Sequence, residues 1–365
     1  MPHAPLRRAL VVGSDDARGL LAAVRSLSAC GWQVGVATPH RRSLVASSRH
    51  ATHWHRLGPD IASSVSAIVD QHGYDVVLPG GDTELLALSD GRADIGCAVP
   101  YGSQESVRCI LDKWSLFRAA SAAGLATPYT RPATPEAIAA VESVVVLKAR
   151  SHTVARCETV ISADPDELRE AADRMRELGV EPLLQQHLIG RLSALTVVLG
   201  EGGEVLAAVQ QQSDGLWPPE AGISVRASTV PLDTRLLGRV VALLQDIGWR
   251  GLAEVQFLDT EAGPMLIDVN GRCYGSLALA AAAGVHLADV WASMAIGDPR
   301  VAGPATVGTR YQWLYGDLRR AWREGDNPLQ SLAYAFRTGH SVWDVRDVRP
   351  SASYLRTLAR AAVRR

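Results

Sequence analysis

The residues best suited to chemistry lie in one stretch, Gly251–Arg272, which reads GLAEVQFLDTEAGPMLIDVNGR. Two runs, Leu252–Leu258 and Met265–Asn270, flank Asp259–Pro264, a segment of acidic, Gly and Pro turn residues. Side chains alternate faces along a strand. Glu254 and Gln256 therefore share a face of the first run, and Asp268 and Asn270 share a face of the second. Pairing the runs brings Gln256, Asp268 and Asn270 together, with Arg272 just beyond. A carboxylate and two amide oxygens are hard donors, suited to Mg²⁺ held jointly with substrate phosphates. Arg272 adds a planar cationic fork for phosphate. A surface hairpin whose polar face meets water would show the same pattern, and the stretch alone leaves both readings open.

A second signal is compositional. Of 37 basic residues only two, Lys113 and Lys148, are lysines. In a chain so biased toward arginine, each lysine is a candidate for a contact that arginine cannot make. A compact ammonium reaches a phosphate as a point charge, whereas a guanidinium needs room for its fork.

The elements that would position these groups follow from periodicity. Residues 1–110 alternate strands and helices: an Ala9–Val12 strand, a Leu20–Cys30 helix, a Gln33–Ala37 strand, an Ile61–Gln71 helix, a Val76–Pro79 strand and a short Cys97–Pro100 strand. That alternation predicts a parallel sheet covered on both faces. Ligands on such sheets lie at the carboxyl ends of strands, which places Gly13–Asp16 and Gly80–Glu84 on the binding edge. Asp82 and Glu84 are candidates to face a substrate there; for Asp82 a turn or capping role is the competing reading. Neither segment is GxGxxG, so a dinucleotide site is disfavoured.

Lys113 opens a helix to Ala123. An extended linker spans Leu125–Pro135, and a Val144–Leu147 strand delivers Lys148. After a loop from Arg150 to Thr159 come a helix (Asp164–Leu178) and a short strand (Pro182–Gln186). An antiparallel pair follows, Arg191–Leu199 with Glu204–Gln212. Asp214–Gly222 reads as a long loop with an exposed Trp217. A Val225–Val230 strand and an Asp233–Ile247 amphipathic helix precede the opening stretch, and Ser276–Ala283 and His286–Ile296 follow as helices.

Composition narrows the class. Hydrophobic content of 47% with 21% charged residues describes an ordinary globular protein. A net charge of -1 offers no electrostatic reason to expect nucleic acid or an anionic membrane. Five scattered cysteines without a CxxC predict reduced thiols in a cytoplasmic protein and argue against disulfides or a zinc site. The apolar run Ala9–Val12 is too short for a signal peptide. The longest apolar stretch, Ser276–Gly297, contains His286 and Asp289 and reads as a buried helix pair, not a membrane span. The last 65 residues carry Trp313, Trp322 and Trp343 and end in a basic amphipathic helix, Ser351–Arg365. A tail packed back on the body by its tryptophans is preferred over membrane or nucleic-acid contact.

Lys113 opening a helix, Lys148 ending a strand, a hinge strand at 182–190 and then QF…IDVNGR, in that order, resemble the ATP-grasp superfamily from about residue 7 to residue 300. The opening stretch is similar to the carbamoyl-phosphate synthetase large subunit and to biotin carboxylase. Pro218–Val225 (PPEAGISV) and the Trp- and Arg-containing tail resemble the bacterial carboligase-like branch. The resemblance implies an α/β and α+β chain in three parts. A Rossmann-like pre-ATP-grasp domain spans 1–111. A two-lobed ATP-grasp domain spans 112–300, with its smaller lobe at about 125–190. A short helical C-terminal tail spans 301–365.

The resemblance also implies roles. Lys113 and Lys148 would contact ATP phosphates, or adenine for Lys148. Gln185, Gln186, His187 and Leu188 would form the hinge around adenine and ribose. Gln256, Asp268 and Asn270 would hold Mg²⁺, or Mn²⁺ in its place. Arg272 and Lys148 would be the catalytic cations, Arg272 steadying the γ-phosphate or an acyl phosphate. The Gly275–Ser276 backbone would offer N–H groups to an anion. Arg226, Arg272 and the Trp217 loop are candidates to grip a substrate carboxylate; a solvated strand residue and a packed loop residue are the preferred readings of Arg226 and Trp217. The sequence departs from the family in three places. The loop after Lys148 lacks glycine, Gln186 stands where an acid usually binds ribose, and Asp268 is one methylene shorter than the usual Glu.

The implied activity is ATP-dependent carboxylate–amine ligation through an acyl phosphate, on a small amino-acid, peptide or sugar-acid substrate. Bicarbonate or carbamate activation is the alternative enzyme reading, and a degenerate ATP-binding protein is the non-catalytic one. The expected partners are small carboxylates and amines, without nucleic acid or a membrane span. The sequence leaves oligomer formation open.

Overall fold

The computed structural model describes residues 6–153, 157–219, 222–336 and 338–363. Among these residues the chain builds three sheets. The first is parallel, in the order β3-β2-β1-β4, from β1 (Arg8–Val12), β2 (Gln33–Thr38), β3 (Ala51–Arg56) and β4 (Val76–Pro79). β1 and β2 are near-continuous apolar runs and are almost wholly buried, as strands covered on both faces must be. β3 (ATHWHR) is half-exposed at the sheet edge, and its polar composition hides it from periodicity. Helices α1 (Arg18–Ala29), α2 (Ile61–His72), α3 (Asp82–Asp90) and α4 (Gln104–Leu111) accompany this sheet. The expected Cys97–Pro100 strand is reduced to a single bridge between Val76 and Ala98.

After α5 (Lys113–Ala122) comes a small antiparallel sheet, β5-β8-β6-β7, formed by β5 (Thr130–Pro132), β6 (Val145–Ala149), β7 (Val160–Ser162) and β8 (Pro182–Gln186). Helices α6 (Pro135–Ala139) and α7 (Pro165–Glu177) pack on it. Ile138, Leu147, Leu168 and Met175 belong to a core separate from that of the rest of the chain.

The largest sheet has seven strands in the order β13-β12-β9-β10-β11-β14-β15. They are β9 (Arg191–Leu199), β10 (Val205–Trp217), β11 (Ile223–Thr229), β12 (Gly251–Thr260), β13 (Gly263–Asn270), β14 (Arg310–Gln312) and β15 (Gly339–His340), with α8 (Thr234–Asp246), α9 (Leu277–Ala282) and α10 (Leu287–Ala295) between them. All neighbours are antiparallel except β14 and β15. One hydrophobic cluster runs from Ala9 on β1 to Met294 on α10, so this sheet and the parallel sheet share a core.

The sequence reading needs correcting in two places. Asp214–Gly222 is not one long loop, because β10 continues through Trp217 and the indole is half-buried under the Arg319 guanidinium, 4.7 Å away; residues 220–221 lie outside the described residues. The last 65 residues do contain helices, α11 (Leu314–Glu324), α12 (Pro328–Ala335) and α13 (Val348–Val363), but they also extend the large sheet through β14 and β15. Three-residue and two-residue strands are too short to show a period.

Candidate active site

The β12–β13 hairpin sets the site. Its register pairs Glu254 with Asn270 and Gln256 with Asp268, so the four polar side chains stand across from one another. Glu254 is the centre of the group. It is buried, and its carboxylate accepts from Asn270 Nδ2 at 2.8 Å and Gln256 Nε2 at 3.1 Å. A carboxylate accepts only, so both amides turn their nitrogens to it and keep their oxygens for another partner. Burial pushes the Glu254 carboxyl up to about 7, against the pull of Arg272 and the two amide donors. Beyond Gln256 and Asp268 the register jumps to Phe257 and Leu266, which leaves Ile267 as the extra residue of a bulge. Its carbonyl accepts from Lys148 Nζ at 3.4 Å.

Both lysines converge here. Lys113 is the first residue of α5 and is buried; its Nζ lies 3.2 Å from Asp268 Oδ1. Asp112 caps that helix, accepting from the backbone N–H of Trp114 and Ser115. The same carboxylate receives Arg150 in a two-pronged contact, Nε at 2.9 Å and Nη2 at 2.6 Å. Arg150 follows directly on β6, the strand that carries Lys148, so the two lysine-bearing elements are tied by one arginine–carboxylate pair. Lys148 is buried beside the Phe117 ring, and burial together with Lys113 pushes its ammonium down to about 7 in spite of Asp268. Burial alone would raise the Asp268 carboxyl, but Lys113 and Lys148 hold it below the usual carboxylate range.

Arg272 leaves the hairpin toward the parallel sheet. Its Nε donates to Asp82 Oδ1 at 3.0 Å, and Cys273 N donates to the Pro79 carbonyl at the end of β4. Asp82 thus faces Arg272 from the first turn of α3, with Glu84 in the same turn. The Ser276 hydroxyl accepts from Gln211 Nε2 at 2.8 Å, and the Gly275 carbonyl accepts from the Tyr311 hydroxyl. Of the hinge residues, Gln185 is buried and donates to Thr130 Oγ1, Gln186 is exposed at the end of β8, and His187 and Leu188 are half-buried just beyond. Arg226 is engaged with the C-terminal region: its Nε pairs with the buried Asp317 at 2.8 Å and its Nη2 donates to Ser331. In the loop after Lys148, residues 154–156 lie outside the described residues.

Two features escape the sequence reading. Glu254 is the shared acceptor of the hairpin amides, and Asp112–Arg150 joins the two lysines. An Asp directly ahead of a helix-opening lysine is a capping signal that points to half of that pair.

Among the described residues no group of three or more His, Cys, Asp or Glu side chains is arranged to hold a metal. The donor set is of a different kind: the Asp268 carboxylate, the amide oxygens of Gln256 and Asn270, and Glu254 beneath them. Hard oxygens few in number fit Mg²⁺, which keeps several ligand positions for phosphate and water.

The family model for ATP-grasp proteins in the biosynthetic pathway with the Ter operon matches residues 180–316. No curated protein matches the sequence. Solved structures resemble the fold. Biotin carboxylase from Campylobacter jejuni, solved with a β,γ-ATP ligand, superposes with a TM-score of 0.66 at 15% identity, over 83% of this chain and 74% of its own. N5-carboxyaminoimidazole synthetase from Staphylococcus aureus, complexed with ADP, gives 0.65 at 14% identity, over 83% and 80%. An L-amino acid ligase from Bacillus licheniformis gives 0.62 at 16% identity, over 80% and 74%. At such identities the likeness is one of fold. The family-model match spans the hairpin and its flanking strands, and the solved structures share the chain's fold.

Proposed function

We propose that the protein binds Mg-ATP and joins a small carboxylate to an amine. The observation that carries this reading is the convergence of its only two lysines on one carboxylate, Asp268, at a hairpin of hard oxygen donors. Lys148, held down by burial and by the neighbouring Lys113, would regain its ammonium beside a polyanion. Lys113 and Lys148 would hold the phosphates, and Asp268, Gln256 and Asn270, with Mn²⁺ as an alternative ion, would hold the metal. Bound Mg²⁺ supplies charge neutralisation and a template for phosphate oxygens. Gln185, Gln186, His187 and Leu188 would line the nucleotide, the first two from the end of β8.

A substrate carboxylate oxygen attacks the γ-phosphorus as ADP leaves, giving an acyl phosphate. An amine then attacks the carbonyl carbon; phosphate departs and the nitrogen loses a proton. Arg272, aimed by Asp82, would steady the transferred phosphate, and the Gly275–Ser276 backbone would adjoin it. The chain's work is positioning and electrostatic stabilisation, with no covalent enzyme intermediate. The acceptor class is a small amino acid, peptide or sugar acid, and the setting is the cytoplasm. The three parts, 1–111, 112–300 and 301–365, would act as pre-ATP-grasp domain, ATP-grasp domain and C-terminal extension.

Mg-ATP should raise the melting temperature, and Lys148→Ala should abolish that rise while leaving the ligand-free protein folded. Absence of any shift at any Mg²⁺ level would falsify nucleotide binding and leave only a degenerate relative. ADP release measured over a panel of carboxylates, with and without amines, then tests ligation. ADP formed with bicarbonate alone would decide for a carboxylase or carbamate-activating enzyme.

A further inference from the structure

Arg18 is the first residue of α1, at the carboxyl edge of the parallel sheet. The Trp313 indole covers one face of its guanidinium, with Cζ 3.9 Å from the ring centre. Nη1 donates to the Tyr311 hydroxyl at 3.2 Å, and that hydroxyl donates to the Gly275 carbonyl at 3.0 Å. A Cβ built on Gly275 would come within 3.3 Å of Nη2, so the second nitrogen lies over the backbone just past Arg272. Gly19 keeps the helix there: a Cβ at this position would fall 2.5 Å from the Tyr274 carbonyl oxygen and 2.6 Å from that of Cys273. Only glycine lets the first turn of α1 lie against the segment that carries Arg272.

What sets Arg18 apart is its charge balance. Lys113 is paired with Asp268, Arg272 with Asp82 and Arg226 with Asp317. Among the described residues Arg18 makes no ion pair, although it is half-buried. Its anchors are a phenol and an indole, which orient it without neutralising it. Nη1 is taken, and Nε and Nη2 have no protein acceptor among the described residues. These two form the side edge of the guanidinium, whose parallel N–H bonds match the two oxygens of a carboxylate. A half-buried, oriented and uncompensated guanidinium is stabilised when an anion arrives.

We propose that Arg18, held by Tyr311 and Trp313, recognises a free carboxylate on the substrate: not the one that is phosphorylated, but a spectator group such as the carboxylate of an amino-acid amine donor. This rests on the ligase reading, in which Arg272 serves the transferred phosphate and leaves a second carboxylate of the substrate to another cation. It also gives residues beyond 300 a part in specificity, since both anchors come from there.

The test is a melting-temperature titration with Mg-ADP present. The ligands are free L-amino acids and small dicarboxylic acids, each beside its carboxamide, and the proteins are wild type, Arg18→Gln and Arg18→Lys. Each shift is read against that variant's own ligand-free melting temperature. At least one acid should stabilise the wild type where its carboxamide does not. Arg18→Gln should weaken that acid by about tenfold or more and so remove the discrimination, and Arg18→Lys should fall between. Tyr311→Phe, which frees Nη1 but keeps the ring, should weaken the same acid to a smaller degree. The proposal is overturned if no acid outperforms its carboxamide, or if Arg18→Gln discriminates as wild type does. Loss of the Mg-ATP shift in the wild type would instead sink the ligase reading and leave the carboxylate result standing on its own.

Discussion

Glu254 illustrates what a single residue does here. It lies beneath Gln256 and Asn270 and accepts from both, so it decides which end of each amide is presented. Replacing it by alanine leaves the buried Asn270 amide and the half-buried Gln256 amide without their acceptor, at a cost of about 1–3 kcal/mol for the buried one. We expect Glu254→Ala to lower the urea midpoint accordingly and to reduce the Mg²⁺ dependence of ATP binding, because both amides are then free to flip. An unchanged midpoint would show that water satisfies them. The sequence puts Glu254 and Gln256 on one face through simple alternation, and the structure agrees. That Glu254 is the acceptor for both amides depends on cross-strand register, which a one-residue slip would have altered.

At the scale of elements, the site depends on two joints. Arg150 at the end of β6 grips Asp112 at the cap of α5, which fixes the separation of Lys148 from Lys113. Arg150→Ala should therefore weaken Mg-ATP binding by about tenfold or more through misplacement alone, although residue 150 touches neither lysine's ammonium. Isothermal titration would measure it, and wild-type affinity would show that the lysines are held by other means. The second joint is the bulge at Ile267, whose carbonyl meets Lys148. No residue type marks it in the sequence.

A further element carries a pH dependence. His55 on the edge strand β3 bonds the Tyr74 hydroxyl at 2.6 Å and lies against His72. Burial, then the nearby His72, His53 and Arg8, pushes its imidazole down to about 4 from 6.5. Above pH 6.5 neither state holds the extra proton, and the fold is unaffected. Between pH 6.5 and about 4 the unfolded chain takes up a proton that the folded chain refuses, so stability falls as the pH drops through that window. His55→Gln should flatten this part of the stability profile in urea titrations at pH 7.5 and 5. A slope identical to wild type would assign it to other groups.

At the scale of the whole molecule, the C-terminal region is part of the body. Asp317 is fully buried and holds Arg226 on β11, Arg320 on α11 and the Gln312 amide. Asp317→Ala strands the largely buried Arg226 guanidinium, while Arg320 keeps Glu324 and Asp326; the loss of about 3–5 kcal/mol should release residues 310–335 to proteolysis before the rest of the chain unfolds. A variant that melts as one unit at the wild-type temperature would contradict this. Among the described residues no helix is long and apolar enough to cross a membrane, and the five cysteines are free thiols.

The strands and helices with strong periods, the order lysine–lysine–hairpin and the face shared by Glu254 and Gln256 are readable from the residues, because propensity and alternation act locally. Only the tertiary structure decides that Arg226 turns to Asp317, that Arg18 lies over Gly275, and that β14 and β15 complete the large sheet. Those contacts join residues far apart in the chain, through charge pairing and close packing that no local pattern encodes. For the Gln256–Asp268–Asn270 hairpin itself, alternation along each strand determined that Gln256 shares a face with Glu254 and Asp268 with Asn270, and the register joined the two pairs. The fold decided that both lysines reach them, because the Asp112–Arg150 pair and the Ile267 bulge set the distances.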